Sequence, residues 1–385
     1  MVSSKAAVVA ALAAPALADS HYFFTGFFSG STIVGVEFDD AASTLTWKQN
    51  ISTNATGSKW IELDERKQNL YVGSTGAFQS YAVGGNGSSL TYKSEVTLSS
   101  GAGSSTSAAE LDCTNANFIG VASASPYTVF GIPYGTGCSG LAISVDSSGS
   151  IQNTVANLTY NSTSGVHGVD VSPDNDFVYS ADDMGNAVWT HSFDSTTGEA
   201  KTLQYLAAPE GSDPRHLAVH PNGQWVYVVY EAASSIAVYK RDNETGLLTD
   251  MNTTYSLLPT GYTNSSSYWA DEVMFSLPTD DITAPKYLVA ATRSRQTSVT
   301  GQVSVFSLDA ETGAISEQLF LLPTTASGGS ANAVAPAPFS EDYFAITDSG
   351  SNFVEMWKIA DDGKSAAAVA HLDLQAGPAN VVWYT

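Results

Sequence analysis

Short apolar strands separated by turn residues recur along the whole chain, and no long segment shows helical periodicity. Each unit reads as an apolar strand, a turn rich in Pro, Asn, Asp or Gly, an aromatic-rich strand, a polar turn and an alternating strand. The clearest copies are residues 167–179 and 215–227, which share the spacing from turn proline to strand tyrosine, and a third spans residues 332–344. A strand-based unit with a period of about 50 residues is typical of a β-propeller.

The number of units predicts the number of blades. Seven pairs of neighbouring strands, rich in Val, Ile, Tyr and Phe and bounded by turn residues, can be placed in order: 23–26 with 33–38, 70–73 with 79–83, 128–132 with 141–145, 177–181 with 188–193, 225–230 with 236–240, 287–291 with 303–308, and 343–347 with 353–359. The sequence therefore predicts an all-β chain folded as one seven-bladed propeller over residues 19–385. A two-sheet sandwich would not explain the regular spacing.

The two ends of the chain complement each other. Residues 381–384 form a lone strand after the seventh pair, whereas the first pair begins without an inner strand. Pairing the last strand with the first would complete blade one and close the ring, leaving few free sheet edges.

The first 18 residues have the pattern of a secretory signal peptide. Lys5 precedes the short apolar run 6–17, and Ala16 and Ala18 form a small-x-small cleavage site before Asp19. The run is too short to cross a bilayer. We therefore expect a secreted, extracellular protein.

Other features agree with secretion. Cys113 and Cys138 are the two cysteines of the chain, and a lone pair in an oxidising compartment is expected to form a disulfide. Eight N-x-Ser/Thr triplets predict glycosylated, exposed loops at Asn50, Asn54, Asn86, Asn157, Asn161, Asn243, Asn252 and Asn264.

The charge of the chain restricts its partners. Lysine and arginine number 15 against 38 aspartates and glutamates, a formal net charge of −23. This argues against nucleic acid and anionic membranes as partners. An anionic ligand would need a local cationic pocket, so the positions of the few arginines are informative.

The repeat places five polar residues on one rim. His167 and Arg215 each lie six residues before a turn proline and so begin the innermost strands of consecutive blades. Asp183, Glu231 and Arg293 share a position at the end of the second strand. Because neighbouring strands are antiparallel, the start of one and the end of the next meet at one edge. We expect these side chains to converge on one mouth of the central channel, the usual place for a ligand.

The cationic part of this rim favours a ligand that carries carboxylates, which arginine binds through paired hydrogen bonds. The alternative is that Arg215 and Arg293 form ion pairs with carboxylates such as Glu231 and simply lock the blades together. His216 and His220 follow on the same strand as Arg215 and are interpreted as packing or exposed residues. No metal-binding motif or cofactor motif is found.

Several motifs resemble one family, the fungal 3-carboxy-cis,cis-muconate lactonizing enzymes, which are seven-bladed propellers of the lactonase superfamily. The resemblance covers nearly the whole chain after the first 18 residues and is most specific in the second half. It rests on residues 165–168, 179–182, 188–191, 214–215, 220–221, 231–232, 318–321, 327–329, 332–334, 345–348 and 382–384.

The resemblance implies a metal-free site in which His167, Arg215, Glu231 and Arg293 are catalytic. Asp183 and Asn332 join Arg215 and Arg293 as candidates for substrate binding. Two positions depart from the family: Ser330 stands where the family has a histidine, and Trp269 lies in a segment where it has an arginine.

The function that follows is an intramolecular lyase acting on a small polycarboxylate. One carboxylate of a muconate-type acid adds to a double bond and gives a lactone. Arg215 and Arg293 would anchor the acid, and His167 or Glu231 would supply the proton. A catalytically silent binding protein and a hydrolytic lactonase are the alternatives.

Overall fold

Twenty-eight strands make up the ordered architecture of the protein, seen in a computed structural model that describes residues 19–85, 87–98, 112–262, 267–277 and 283–385. The strands form seven four-stranded antiparallel sheets, and the described residues contain no α-helix. The predicted seven-bladed β-propeller is confirmed.

Each blade is one sheet. Blade one contains β1 (Ser20–Phe27), β2 (Thr32–Asp39), β3 (Thr44–Ser52) and β28 (Pro378–Trp383); blade two contains β4 (Trp60–Leu63), β5 (Asn69–Ser74), β6 (Ala77–Gly84) and β7 (Ser89–Thr97); blade three contains β8 (Ala116–Val121), β9 (Val129–Pro133), β10 (Gly140–Val145) and β11 (Ile151–Leu158); blade four contains β12 (Val166–Val171), β13 (Phe177–Asp182), β14 (Ala187–Asp194) and β15 (Glu199–Ala207).

The remaining blades follow the same order. Blade five contains β16 (Pro214–Val219), β17 (Trp225–Tyr230), β18 (Ser235–Arg241) and β19 (Leu248–Ser256); blade six contains β20 (Tyr268–Phe275), β21 (Tyr287–Ser294), β22 (Gln302–Leu308) and β23 (Ile315–Pro323); blade seven contains β24 (Val334–Pro336), β25 (Tyr343–Asp348), β26 (Phe353–Ile359) and β27 (Ala366–Asp373).

The ring closes through the C-terminal strand, as predicted. β28 pairs antiparallel with β1, with Phe23 opposite Trp383 and Thr25 opposite Val381. The innermost strands β28, β4, β8, β12, β16, β20 and β24 contact one another in sequence around a central channel. Closure leaves the inner strands buried and only the outermost strand of each blade as an edge.

Burial along the strands follows from this stacking. Middle strands lie between two neighbouring blades and are apolar on both faces; five of the six residues of β17 are buried. Outer strands alternate, because one face meets water; most of β19 is exposed. Large rings such as Tyr179, Tyr227 and Phe306 are buried between blades. The blades therefore hold their inner strands at fixed positions around the channel.

The predicted disulfide is present. Cys113 and Cys138 are bonded with a Cα–Cα distance of 5.7 Å, which joins the segment before β8 to the turn before β10. The six predicted glycosylation sites within the described residues are all exposed. Three of them, Asn50, Asn157 and Asn252, lie on outermost strands rather than in loops.

Some sequence predictions fall outside the described residues. These are the signal peptide over residues 1–18 and the glycosylation sites Asn86 and Asn264. Within the described part of the chain, no helix has the length and apolar character needed to cross a membrane.

Candidate functional site

β-bulges on the innermost strands turn side chains into the channel. β8, β12 and β20 each contain a bulge, whose extra residue has no partner on the neighbouring strand. These extra residues are Asn117, His167 and Asp271. The pairing of β16 with β17 is likewise interrupted between Pro214 and Leu217, which places Arg215 inside the irregular segment. Bulges re-aim side chains in this way next to many active sites.

A glycine lets two of these strands approach each other. A Cβ atom added at Gly168 would lie 2.7 Å from the carbonyl oxygen of Arg215 and 2.8 Å from the ring of His216. No other residue could occupy this position without moving the neighbouring strand. The close approach brings His167 of blade four against His216 of blade five.

The ends of the second strands supply the rest of the site. Asp183 and Glu231 directly follow β13 and β17, and Arg293 is the second-to-last residue of β21. The structure brings these residues to the same mouth of the channel as His167 and Arg215, where the repeat positions predicted them.

Both arginines are held between two carboxylates. Arg215 Nε lies 2.8 Å from Glu231 Oε2, and Arg293 Nη2 lies 3.1 Å from the same oxygen. On the other side, Arg293 Nη1 donates to Asp271 Oδ1 at 2.8 Å, and Arg215 Nη1 forms an ion pair with Asp271 and donates to its carbonyl oxygen at 2.7 Å. Ion pairs between blades, the alternative considered from the sequence, are therefore present, and they join blades five and six.

Sequence reasoning missed Asp271, which is the most deeply buried acid of this cluster at 1% exposure. Burial alone would raise the pKa of Asp271, but Arg215 and Arg293 outweigh it and hold the pKa below its usual range. Blade six has no turn proline six residues after Asp271, so the repeat spacing that identified His167 and Arg215 gave no signal here.

The ring of His167 contacts the uncharged side chains of Tyr134 and Asn117. The ring packs edge-on against Tyr134 at 5.0 Å, and Asn117 Nδ2 lies 3.4 Å from either ring nitrogen. Burial, together with the charges of Arg215 and Arg293, lowers the pKa of His167 well below its ordinary value. The imidazole is therefore neutral near pH 7.

The interpretation of His216 as a packing or exposed residue was incomplete. His216 is buried against the rings of Trp60 and Phe118, and its Nε2 lies 2.9 Å from Nδ1 of His167. Its Nδ1 lies 2.9 Å from Oε2 of Glu272, an acid that sequence reasoning did not consider.

Asp183 accepts a hydrogen bond from the Tyr134 hydroxyl at 2.8 Å through Oδ2, while its buried Oδ1 has no partner among the described residues. Burial raises the pKa of Asp183 to about 7. Burial also raises the pKa of Glu231, against the opposing charges of Arg215 and Arg293. Asp183 therefore adds little negative charge to the mouth below about pH 7.

Asn332, a predicted substrate-binding residue, is buried next to the cluster. Its backbone amide donates to Asp271 Oδ2 at 2.6 Å, but its side chain is 1% exposed and packs beside Gly301 and Gly328. The contact with the cluster is therefore made by the backbone, and it fixes the orientation of Asp271.

The two residues that depart from the family, Ser330 and Trp269, both contact Arg293. The carbonyl oxygen of Ser330 accepts a hydrogen bond from Arg293 Nη1. The guanidinium of Arg295 lies 3.9 Å from the centre of the Trp269 ring, and that of Arg293 lies 5.0 Å from it. Both contacts are favourable cation–π interactions. Trp269 thus holds a further cation, Arg295, next to the cluster.

Two cavities occupy the channel. A small one of about 30 Å³ lies beneath the mouth and is lined by Asn117, His167, Arg215 and Asp271. A large one of about 570 Å³ opens at the opposite end and is lined by Glu62, Asp170 and Glu272 among mostly apolar residues. The small cavity has room for little more than a water molecule, so a larger ligand must lie across the mouth above it.

Comparison with known proteins identifies related chains. The family model described as "Lactonase, 7-bladed beta-propeller" matches residues 22–320. The carboxy-cis,cis-muconate cyclase of Neurospora crassa is 29% identical over 376 residues, which is 94% of this chain and 99% of that protein. Muconate cycloisomerase 1 of Cutaneotrichosporon cutaneum is 29% identical over 233 residues, 57% of this chain and 59% of that protein. The predicted resemblance to the fungal lactonizing enzymes is confirmed.

Solved structures share the fold at lower identity. A periplasmic gluconolactonase of Pseudomonas aeruginosa superposes with a TM-score of 0.77 at 16% identity, covering 95% of this chain and 99% of that one. A 6-phosphogluconolactonase assigned as putative from Bacteroides uniformis gives a TM-score of 0.76 at 16% identity with the same coverage. At this identity the similarity concerns the fold alone.

Proposed function

The chain belongs to the seven-bladed β-propeller lactonase family, and from this premise we propose that it forms a lactone from a carboxymuconate-type polycarboxylate. The observation that carries the proposal is the mouth itself: two buried arginines and a neutral histidine meet there in a protein with a formal charge of −23. The N. crassa cyclase, similar over nearly its full length, supports the substrate class.

The charges of the mouth suit an anionic ligand. Arg215 and Arg293 are balanced by Glu231 and Asp271, Asp183 is largely neutral below about pH 7, and Arg295 adds a further positive charge beside Trp269. In addition, Arg293 Nε is buried and has no hydrogen-bond partner within the described ranges. A buried donor without a partner is costly unless a ligand satisfies it.

The reaction needs a carboxylate held against a double bond. As the carboxylate oxygen bonds to one alkene carbon, the electron pair of the double bond moves to the other, and negative charge spreads into the carboxylate attached there. Fixed guanidinium groups in a site with little water stabilise that charge. A proton must then be delivered to the carbon that received the electron pair.

We assign the proton donor to His167 rather than Glu231. Glu231 Oε2 already contacts Arg215 and Arg293, so protonating it would disrupt two ion pairs. His167 lines the small cavity at the mouth and, among the described residues, makes no ion pair with a carboxylate. Glu231 instead orients the two arginines.

Secretion is part of the proposal. The signal-like N-terminus, the Cys113–Cys138 disulfide and six exposed sequons in the described residues support an extracellular enzyme. Disulfides of this kind persist in oxidising compartments.

The test of the function is a spectroscopic assay. Purified protein should remove the ultraviolet absorbance of the carboxymuconate diene, with the lactone recovered as product and simple lactones run in parallel. Protein that binds carboxymuconate without consuming it would leave only a binding role. Hydrolysis of the lactones without loss of the diene would favour a hydrolytic lactonase instead.

Arg293→Met is expected to weaken binding of a polycarboxylate by about 2–3 kcal/mol, because it removes charge-assisted hydrogen bonds from a buried site. Arg215→Met should have an effect of the same order. Binding is measured by calorimetry on the folded fraction of each variant, alongside its melting temperature.

Arg241→Met is the matched control for both. Arg241 is 3% exposed and pairs with Asp174 at 2.5 Å, but it lies at the opposite end of the strands. We expect it to lower the melting temperature without changing affinity. If the mouth variants behave in the same way as Arg241→Met, the mouth arginines are structural ion pairs only.

A further inference from the structure

Three side chains form a chain of polar contacts that runs from the small cavity at the mouth to the large cavity of the channel. His167 Nδ1 lies 2.9 Å from His216 Nε2, and His216 Nδ1 lies 2.9 Å from Glu272 Oε2. His167 lines the small cavity at the mouth, and Glu272 lines the large one. The proposed function uses only the first of these three groups.

A neutral imidazole is a poor acid on its own. The pKa of His167 is lowered, so the ring carries one proton rather than two near pH 7. Giving up that proton would leave an imidazolate, unless the other ring nitrogen receives a proton at the same time. The nitrogen that must receive it, Nδ1, is the one that faces His216.

We infer that Glu272 is the proton reservoir of the site and that it acts through His216 to make His167 a proton donor. The inference rests on the proposed lactone-forming function. Glu272 and His216 are positioning and relay residues, and His167 alone meets the substrate.

The surroundings of Glu272 favour a protonated carboxyl group. Glu272 is 2% exposed, and its Oε1 accepts a hydrogen bond from the Val273 amide at 3.1 Å. Its Oε2 lies 2.9 Å from His216 Nδ1 and has no hydrogen-bond donor among the described residues, so no such bond stabilises a negative charge on that oxygen. Burial and the neighbouring charge of Asp271 raise the pKa of Glu272 well above its ordinary value. Across the channel, Glu62 and Asp170 are also close enough to disfavour a further negative charge.

The surroundings of His216 favour a neutral ring with a bare Nδ1. The ring packs against Trp60 and Phe118, and the guanidinium Nη1 of Arg215 is 3.4 Å from Nδ1. A permanent donor at that nitrogen disfavours a proton there. Burial and the charges of Arg215 and Arg293 lower the pKa of His216 well below its ordinary value.

Under this inference, the contacts define which atom of each of the three groups carries a proton. The Glu272 carboxyl donates to His216 Nδ1, His216 Nε2–H donates to His167 Nδ1, and His167 Nε2–H faces the substrate. In the reaction the His167 Nε2–H bond breaks as the new C–H bond forms. His167 Nδ1 takes the proton of His216 Nε2, and His216 Nδ1 takes the proton of Glu272, which is left as a carboxylate.

The chain resets without rotating either ring. After the lactone leaves, water at the mouth protonates His167 Nε2. The two inner protons then move back, from His167 Nδ1 to His216 Nε2 and from His216 Nδ1 to Glu272. The reaction consumes one proton for each carboxylate converted to a lactone, which matches the one proton taken from water.

The variant that tests the relay is Glu272→Gln, whose amide has the size of the carboxyl group but cannot give up a proton. We expect kcat to fall by about 10²–10⁴-fold with KM nearly unchanged. The wild-type kcat should decline as the pH rises past the raised pKa of Glu272, because the carboxylate has no proton to give, and the variant should lack this decline. Mixtures of H₂O and D₂O should give a curved dependence of wild-type kcat, since three protons move together.

Glu62→Gln is the matched control. Glu62 lines the same large cavity, and burial raises its pKa to about 8, but it contacts neither imidazole through a hydrogen bond in the described structure. We expect it to keep the kcat of the wild type near pH 7, where Glu62 is largely uncharged, and to retain the decline of kcat at high pH. Equal losses in both variants, or a normal pH profile in Glu272→Gln, would overturn the relay.

A measurement without turnover separates the relay from the proposed function. Nitrogen-15 NMR of the histidine-labelled wild-type protein should place the proton on Nε2 of both His167 and His216. Protons on Nδ1 of both rings would make Glu272 a carboxylate and overturn the relay, even in a protein that consumes carboxymuconate. If the expected tautomers are found in a protein that does not consume carboxymuconate, the proposed function is rejected and the arrangement of protons along the chain is retained.

Discussion

Glutamine in place of His167 is expected to slow the conversion of carboxymuconate by about 10²–10⁴-fold, the usual contribution of a general acid, with little change in substrate affinity. The reason is geometric. His167 is the extra residue of the β12 bulge, which turns its ring into the cavity at the mouth, and it makes no ion pair that the substitution would break. Steady-state kinetics and calorimetry on the same variant measure the two quantities.

Glu231→Gln distinguishes the two candidate donors. Glu231 Oε2 contacts both Arg215 and Arg293, so its loss should mainly weaken binding, through misplaced guanidinium groups. The expected signature is a raised KM with a smaller decrease in kcat. A variant at Glu231 that binds normally and fails to turn over, beside an active His167→Gln, would reverse the assignment and make Glu231 the acid.

The fold could be predicted from sequence because a propeller repeats one local pattern seven times. Strand pairs such as 177–181 with 188–193 correspond to β13 and β14, and the lone strand predicted at 381–384 covers the last three residues of β28 and the residue after it. Each blade supplied an independent sample of the same spacing. The pattern is therefore recognisable even where the turn of a single blade is irregular.

The same repeat predicted part of the site and missed the rest for a physical reason. His167 and Arg215 share a spacing to a turn proline, so alignment placed them together. Asp271 and Asn117 reach the channel because each is the extra residue of a bulge, and a bulge is a property of pairing between strands that single-strand spacing does not contain. Asn332 has the proline spacing too, and its side chain is buried beside Gly301 and Gly328 while its backbone amide contacts Asp271.

The histidine–glutamate chain shows what sequence reasoning lacked most. His216 lies within the irregular segment of β16, and Glu272 directly follows the bulge of β20, so the two become neighbours only when blades five and six pack. His216 does not stand out from its surroundings in sequence, whereas Glu272 lies six residues before Pro278, the spacing that identified His167 and Arg215. Comparing the residues after each bulge across blades would have shown two polar side chains where blades three and four have Phe118 and Gly168.

Asparagine in place of Asp271 is expected to cost about 3–5 kcal/mol in free energy of unfolding, the largest stability effect we predict. Asp271 is 1% exposed and contacts the guanidinium groups of both Arg215 and Arg293. Removing its charge leaves two buried cations facing Glu231 alone, and an uncompensated buried charge is strongly destabilising. Denaturant titration of the wild type and the variant at pH 7 measures the difference.

The pH dependence of this difference follows from the direction of the pKa shift. The two arginines hold the pKa of Asp271 in the folded protein below its unfolded value of about 3.9. Its contribution to stability is therefore fully present above the unfolded pKa and is lost as the pH falls through the folded pKa. The wild type and Asp271→Asn should accordingly become alike in stability in strong acid, if both remain folded there.

Asp342→Asn is the matched control for Asp271→Asn, because it removes the same charge from an exposed ion pair, Asp342 with Lys286 at 3.2 Å. Such surface pairs contribute about 0–1 kcal/mol, since water screens them and their side chains remain mobile. A loss at Asp271 no larger than the loss at Asp342 would mean that Glu231 alone balances both arginines. In that case Asp271 would be free to exchange its contacts for a carboxylate of the ligand, and its replacement should change affinity more than stability.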